Sequence, residues 1–295
     1  MTKKNIAVIF GGTSGEREVS IKSAKSVIDG LNREKYEVFS YDVPNDLEKF
    51  LNEYKTIDVA LPILHGKFGE DGTIQGFLET LSLKYAFSGV YGNAIAMNKK
   101  ATKTILKEKG VLVCEEYSLD GLKFPLVIKP NRDGSSLGVY IVNNQEEFDE
   151  KIKEARKVSD DIILEQYIKG REFTSAIFGN KKAEALPILE IKSKNTFFDY
   201  ESKYTAGMAE EVFLDSNESE LEKKIQAIGL IVHETLELKG VSRTDVICDE
   251  RGDIYFLEVN TIPGQTGTSL VPQAAGKAGY SYPEFLDKLI ELALE

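Results

Sequence analysis

The sequence predicts an α/β protein assembled from α+β units, with a parallel sheet in its N-terminal part. Three observations carry that expectation. Short apolar runs alternate with amphipathic helical patterns up to about residue 95, as in strands joined by crossover helices. After Gly170 the composition shifts toward longer strands. Near the C-terminus two strand-like runs, 241–249 and 253–260, flank the turn Glu250-Arg251-Gly252 and read as a hairpin.

The elements follow in order. Asn5–Phe10 is an apolar run closed at once by GGTSGE, a strand ending in a glycine turn. Ala24, Val27, Ile28 and Leu31 fall at i, i+3, i+4 and i+7, the spacing of one helix face. Tyr36–Val43 is a second strand. Ile57–Leu64 is a third, running into His65-Gly66, and Ile74–Leu81 is helical. A helix over 99–109 is closed by Gly110. Strands at Leu126–Lys129 and Val139–Val142 are joined by a polar glycine loop, and a helix covers 145–157. Strands follow at Ile162–Gln166 and Phe173–Phe178, then a polar stretch from Lys192 to Glu211. Leu221, Ile225, Ile228 and Val232 give the apolar face of a helix over 218–238, and Phe285, Leu289 and Leu292 that of a last helix over 285–294.

Composition narrows the function. The 295 residues suffice for two or three domains. Net charge is −11 and no polybasic block occurs, which argues against nucleic acid or an anionic membrane as the main partner. The N-terminal apolar run is too short for a signal peptide, and no stretch reaches membrane-span length, so a soluble cytoplasmic protein is expected. Cys114 and Cys248 are too few and too distant for a metal-ligand spacing or a disulfide framework. His65 and His233 are the only histidines, which excludes histidine-cluster chemistry.

The chemistry-bearing residues sit at strand ends and in glycine-rich loops. With period-two alternation, Arg243 and Asp245 share one face of the first hairpin strand, and Ile254, Phe256, Glu258 and Asn260 share one face of the second. Pairing would bring Asp245, Glu258 and Asn260 together, an oxygen set suited to Mg²⁺; a solvated sheet face is the plainer alternative. The following loop, Thr261 to Ser269, is rich in glycine and hydroxyls and can offer backbone N–H groups to an anion. GGTSGERE (11–18) lies between a strand and a helix, where open parallel sheets bind ligands, but it lacks the G-x-G-x-x-G spacing. Glu16 and Glu18 equally suit the positive end of that helix. His65 stands at a strand end in LHGKFGEDGT, where Glu70 and Asp71 can simply start the next helix. KPNRDGSSLGV (129–139) sets Lys129, Arg132, Ser135 and Ser136 around two glycines, a composition able to close over phosphates or to form an ordinary hairpin. No P-loop pattern occurs. FFDYESKYTAG (197–207) is a long polar loop with aromatics, a type more often functional than disordered.

Taken together, GGTSGEREVS (11–20), LHGKFGEDGTIQG (64–76), MNK (97–99), VIKPNRDGSSLGV (127–139), GREFT (170–174), TFFDYESKY (196–204), SRTDV (242–246) and FLEVNTIPGQTGTSLVP (256–272) resemble the D-alanine–D-alanine ligases, of the ATP-grasp fold. The resemblance spans nearly the whole chain in order. It implies three domains, 1–96, 97–168 and 169–295, with ATP held between the central and C-terminal ones, and a cytoplasmic homodimer serving peptidoglycan precursor synthesis. It implies that ATP phosphorylates one D-alanine and that the amine of a second attacks the acyl phosphate.

The resemblance also assigns roles. Glu16 would bind the first ammonium and His65 the region of its carboxylate. Ser135 and Tyr204 would link to Glu16 and close loops over the site. Lys99, Lys129 and Lys203 would contact phosphates, with Ser135, Ser136, Phe197, Phe256 and Asn260 also at the nucleotide. Glu165, Gln166, Tyr167 and Ile168 would line the adenine pocket and Glu172 would bind ribose. Asp245, Glu258 and Asn260 would hold two Mg²⁺, which Mn²⁺ could replace. Arg243 and the Gly264 N–H would form an oxyanion hole, and Ser269 with the Leu270 N–H would bind the second carboxylate. Asn98 replaces a frequent Asp with an effect on local capping, Gln166 replaces a frequent lysine, and Gln265 and Gly267 vary the last loop. Tyr204 matches dipeptide-forming rather than D-lactate ester-forming relatives. Two other readings share these motifs: a different ATP-dependent carboxylate–amine ligase, and a nucleotide-binding regulator without turnover.

Overall fold

The computed structural model describes residues 2–134, 137–193 and 209–295. The chain opens with β1 (Lys4–Gly11), α1 (Arg17–Gly30), β2 (Tyr36–Val43), α2 (Leu47–Glu53), β3 (Val59–Ile63) and α3 (Thr73–Thr80). The strands form a parallel sheet in the order β2-β1-β3, as the alternating pattern predicts. β1 is the middle strand, so both its faces must be covered. Ala7 and Ile9 pack with Tyr41, Phe50 and Leu78, while Ile6 and Val8 pack with Val27, Phe285 and Leu286. The last helix of the chain therefore covers the first sheet.

Next come α4 (Val90–Met97) and α5 (Lys99–Glu108). Asn98 caps α5 by accepting the Ala101 N–H at 3.1 Å, the local capping role foreseen for the amide. β4 (Leu126–Pro130), β5 (Tyr140–Val142), α6 (Gln145–Val158) and β6 (Ile162–Gln166) make a small antiparallel sheet, β5-β4-β6, with α6 on one face. Asn144 caps α6 through the Glu147 N–H at 2.9 Å.

The third sheet is antiparallel, in the order β10-β9-β7-β11-β12, with β8 beside β7. It comprises β7 (Gly170–Phe178), β8 (Glu184–Ala185), β9 (Leu189–Ser193), β10 (Ala209–Phe213), β11 (Val241–Asp249) and β12 (Ile254–Asn260). α7 (Ser219–Thr235) lies on this sheet through Ile225 and Val232. α8 (Leu270–Lys277) and α9 (Tyr282–Leu294) end the chain. α9 begins three residues before the periodic apolar face, because Ser281 and Glu284 form a capping box with Pro283 in the first turn.

One strand-face expectation is corrected. Asp245 pairs with Glu258, but the next residue, Val246, pairs with Phe256, so β12 carries a bulge at Leu257. An extra residue reverses the alternation. Phe256 consequently points away from Glu258 and Asn260. It is fully buried among Leu106, Val232 and Val259, where burial of such a side chain is worth roughly 2–3 kcal/mol.

His233, on α7, is a buried structural histidine. Its Nε2 lies 3.2 Å from the Gly179 carbonyl, which can only accept, and its Nδ1 lies 2.7 Å from Ser242 Oγ. The ring therefore carries its proton on Nε2 and is satisfied as the neutral form. Burial lowers its pKa to about 4 against the opposing bond to Gly179. Among the described residues no helix is long and apolar enough to cross a membrane.

The pH consequence has a definite sign. The unfolded imidazole takes up a proton near pH 6.5 and the folded one near 4, so this group removes stability as pH falls through that window. Thermal melts at pH 7 and pH 5 should show a larger loss of Tm in the parent protein than in a His233→Gln variant. Equal losses would mean that His233 does not titrate in this way.

Candidate active site

The site grows from the register of the hairpin. Arg243 stands opposite Asn260 and Asp245 opposite Glu258. β11 lies between β7 and β12, so Asp245 is also paired with Thr174. Its Oδ1 accepts from Thr174 Oγ1 at 2.6 Å and from Arg243 Nε at 3.0 Å, and its Oδ2 accepts from Arg243 Nη2 at 2.8 Å. The buried carboxylate is thus fixed from two sides. Lys99 Nζ, at the start of α5, lies 3.5 Å from Glu258 Oε2 and donates to the Asp133 carbonyl at 2.6 Å. The Asn260 Nδ2 is buried without a hydrogen-bond partner, which leaves this donor for an acceptor such as a phosphate oxygen, while the amide oxygen is the atom that suits a cation. Two carboxylates and an amide at neighbouring register positions are an all-oxygen donor set that fits a hard divalent cation such as Mg²⁺.

A cavity of about 330 Å³ opens on one side of this group. Glu16, His65 and Glu70 line it from the first sheet, and Arg243, Glu258 and Asn260 from the third. Gly264, Ser269 and Leu270 close it from the following loop and the start of α8. Ser14 Oγ joins the first two loops, donating to the His65 carbonyl at 2.7 Å and accepting the Glu16 N–H at 3.2 Å. Gly66 has φ +70°, the left-handed region that favours glycine, and a Cβ there would lie 2.7 Å from Glu16 Oε2 and push that carboxylate aside. The last loop is anchored at its start and its middle: Thr261 Oγ1 bonds the Asn93 side chain, and the Tyr282 hydroxyl donates to the Gln265 carbonyl. Ser269 Oγ accepts the Thr266 N–H at 3.2 Å and lies 2.7 Å from Thr266 Oγ1.

Burial sets the protonation of this cavity. His65 Nε2 is 3.3 Å from Ser23 Oγ. Burial, reinforced by the Arg243 charge, lowers its pKa to about 4 despite a bond with the Ile262 backbone, so the ring is neutral at pH 7. Glu70 accepts the Gly66 N–H at 2.8 Å. Burial first, and then the Glu16 charge, raise its carboxyl well above the ordinary range. The sequence pattern offers Glu70 only as a helix-start residue; its place in the cavity depends on the fold of the loop.

A second cavity, of about 140 Å³, lies between the second and third sheets. Lys129, Glu165, Gln166, Tyr167 and Ile168 line one side; Glu172, Asp245 and Glu258 line the other. Val127, Ile141, Ile247 and Leu257 give it an apolar lining. Lys129 Nζ is 2.8 Å from Glu165 Oε2. Burial pushes the Glu165 carboxyl up, but Lys129 and Lys103 outweigh it and hold the carboxyl at about 2. Phe256, expected here, is replaced by Leu257 because of the bulge. Glu258 lines both cavities, and Lys99 joins it at a small gap between them. Ser135, Ser136, Phe197, Lys203 and Tyr204 lie outside the described residues.

Comparison with known proteins gives a consistent picture. The family model described as D-ala D-ala ligase C-terminus matches residues 94–291, and D-ala D-ala ligase N-terminus matches 5–53 and 42–88. The D-alanine–D-alanine ligase of Desulfotalea psychrophila is 44% identical, over 98% of this chain and 95% of its own length. That of Syntrophobacter fumaroxidans is 41% identical over 99% and 98%. Among solved structures, the Bacillus anthracis D-alanine–D-alanine ligase complexed with ATP superposes with a TM-score of 0.84 at 33% identity, over 99% of this chain and 97% of that one. The VanG D-Ala:D-Ser ligase of Enterococcus faecalis gives 0.84 at 30% identity, over 99% and 100%. A hairpin that joins an acid-lined cavity to an apolar one is thus found in a chain matched end to end by these enzymes: it belongs to the D-alanine–D-alanine ligase family, with the ATP-grasp fold.

Proposed function

We propose that this chain joins two D-alanines at the expense of ATP, through a D-alanyl phosphate, to supply the dipeptide for peptidoglycan precursors. The observation that carries the reading is the placement of Asp245, Glu258 and Asn260 between an apolar slot and a polar cavity. Phosphoryl transfer needs a nucleotide and an acceptor on opposite sides of one charge-stabilising centre.

In this reading the adenine lies against the strand segment Glu165 to Ile168, the ribose at Glu172, and the phosphates at Lys129 and Lys99. Asp245, Glu258 and Asn260 would hold Mg²⁺, two ions with Mn²⁺ as a substitute, which supply charge neutralisation at the phosphates. Glu16 takes the ammonium of the first D-alanine, near neutral His65. A carboxylate oxygen of that D-alanine attacks the γ-phosphorus, and the bond to ADP breaks. The amine of the second D-alanine, its carboxylate held by Ser269 and the Leu270 N–H, then attacks the acyl carbon. Arg243 and the Gly264 N–H donate to the tetrahedral oxyanion. Its collapse forms the amide, expels phosphate and releases the amine proton. Lys203, Ser135, Ser136, Phe197 and Tyr204 are proposed at the nucleotide and closing loops on the motif match alone. We further read the chain as three units, 1–96, 97–168 and 169–295, working as a homodimer in the cytoplasm, where ATP is made available.

A second reading concerns the second substrate, because a D-Ala:D-Ser ligase matches the fold as fully as a D-alanine ligase does. Both are separated by incubating the protein with ATP, Mg²⁺ and D-alanine, with D-serine, D-lactate or L-alanine as competitors, and identifying products by mass. D-alanyl-D-alanine should dominate at neutral pH. Predominance of a mixed product would reassign the second site, and nucleotide binding without turnover would reduce the protein to a binding module.

Arg243→Ala should lower kcat by about 10²–10³-fold, the loss of roughly 3–4 kcal/mol typical of one oxyanion donor, with circular dichroism unchanged. Near-normal turnover would remove Arg243 from the chemistry. Gly66→Ala should raise the KM for the first D-alanine while ATP affinity stays within about twofold, since the added methyl meets Glu16 and not the nucleotide cavity. An unchanged KM in steady-state kinetics would show that Glu16 tolerates displacement.

A further inference from the structure

Behind the nucleotide cavity lies a buried lysine, Lys103, that no motif singled out. Glu165, on β6, receives two lysines, one on each carboxylate oxygen. Lys103 Nζ donates to Oε1, and Lys129 Nζ lies 2.8 Å from Oε2. All three side chains are buried, with 8%, 10% and 4% exposure for Lys103, Lys129 and Glu165. Lys129 and Glu165 line the cavity, whereas Lys103 stands behind them.

The charges explain why a second lysine is needed. Lys129 satisfies one oxygen of the buried carboxylate and leaves the other bare. Lys103 occupies that second oxygen. It also keeps the carboxylate from turning onto Lys129 with both oxygens. Removing one partner of a buried ion pair leaves the other uncompensated, which makes such a group sensitive to truncation. Lys103 is placed by α5, four residues after Lys99 and on the same helix face. Lys99 reaches Glu258 on the third sheet and Lys103 reaches Glu165 on the second. One short helix thereby sets the separation of the two walls of the cavity.

We propose that Lys103 is a positioning residue for nucleotide binding: it acts through Glu165 to hold Lys129 at the phosphates. The proposal rests on the reading that ATP occupies the cavity between the second and third sheets.

The test is a double-mutant cycle read by calorimetric titration with ATP and Mg²⁺, alongside steady-state kinetics. Lys103→Met should weaken ATP binding roughly tenfold, as expected for breaking a buried charge pair, and leave the KM for D-alanine within about twofold. On a Glu165→Gln background the same change should cost less than about twofold, because the carboxylate it serves is gone. Additive losses, or a parallel rise in the D-alanine KM, would overturn the proposal. Lys129→Met separates the two levels. If it weakens ATP binding and Lys103→Met does not, the nucleotide site stands and the role of Lys103 falls. If neither matters, ATP does not sit here and both readings fall. Should Lys103→Met not fold, the Lys103→Met/Glu165→Gln protein, which buries no carboxylate here and one lysine fewer than Glu165→Gln alone, should fold and bind ATP like Glu165→Gln alone; failure to bind would overturn the proposal.

Discussion

The register between β11 and β12 is the constraint on which the rest of the site depends. A slip by one residue would send Asp245 and Arg243 to the opposite face. β11 cannot slip easily, because it is clamped by β7 on one side and β12 on the other. The bulge at Leu257 then separates two jobs within one short strand. Glu258 and Asn260 face the ligand cavities, while Phe256 and Val259 enter the core with Leu106 and Val232. An unbroken alternation would have placed Phe256 beside the carboxylates and stripped the core of its largest side chain there.

Around that hairpin the molecule collects charges that burial alone would forbid. Asp245 is tolerated because Arg243 and Thr174 satisfy it, and Glu165 because two lysines do. His65 and His233 instead avoid charge and stay neutral. Glu70 does the same by a raised pKa next to Glu16. Among the groups that line the cavities, the neutral ones, His65 and Glu70, come from the first sheet, and the paired charges Asp245 and Glu165 from the third and second. This division matches a chemistry in which an amino acid is bound on one side and a polyphosphate on the other.

The first sheet, the small antiparallel sheet, α6 and the hairpin were legible because their signals are local. Period-two and 3.6-residue patterns need only neighbouring residues. α2, α4 and α8 were not foreseen. α4 and α8 are short, and Leu270–Lys277 contains a proline and a glycine that read as loop; it is a helix because Val271, Ala274 and Ala275 enter the main core. The site was legible in the motifs as far as Glu16, His65, Lys129, Asp245 and Glu258, but Glu70, Leu257 and Lys103 were not. Each of these three acts through a contact set by loop path, strand irregularity or helix packing.

The sequence by itself determined the alternation of strands and helices, the acidic hairpin, the glycine loops and the order of motifs that marks the family. These depend on residue type and spacing. Only the tertiary structure decided which side of β12 meets the cavities, which carboxylate stands beside Glu16, and which lysine stands behind Glu165. A bulge, a positive-φ glycine and a helix that spans two sheets fix those choices. Their energies come from residues far apart in the chain, so no local pattern encodes them.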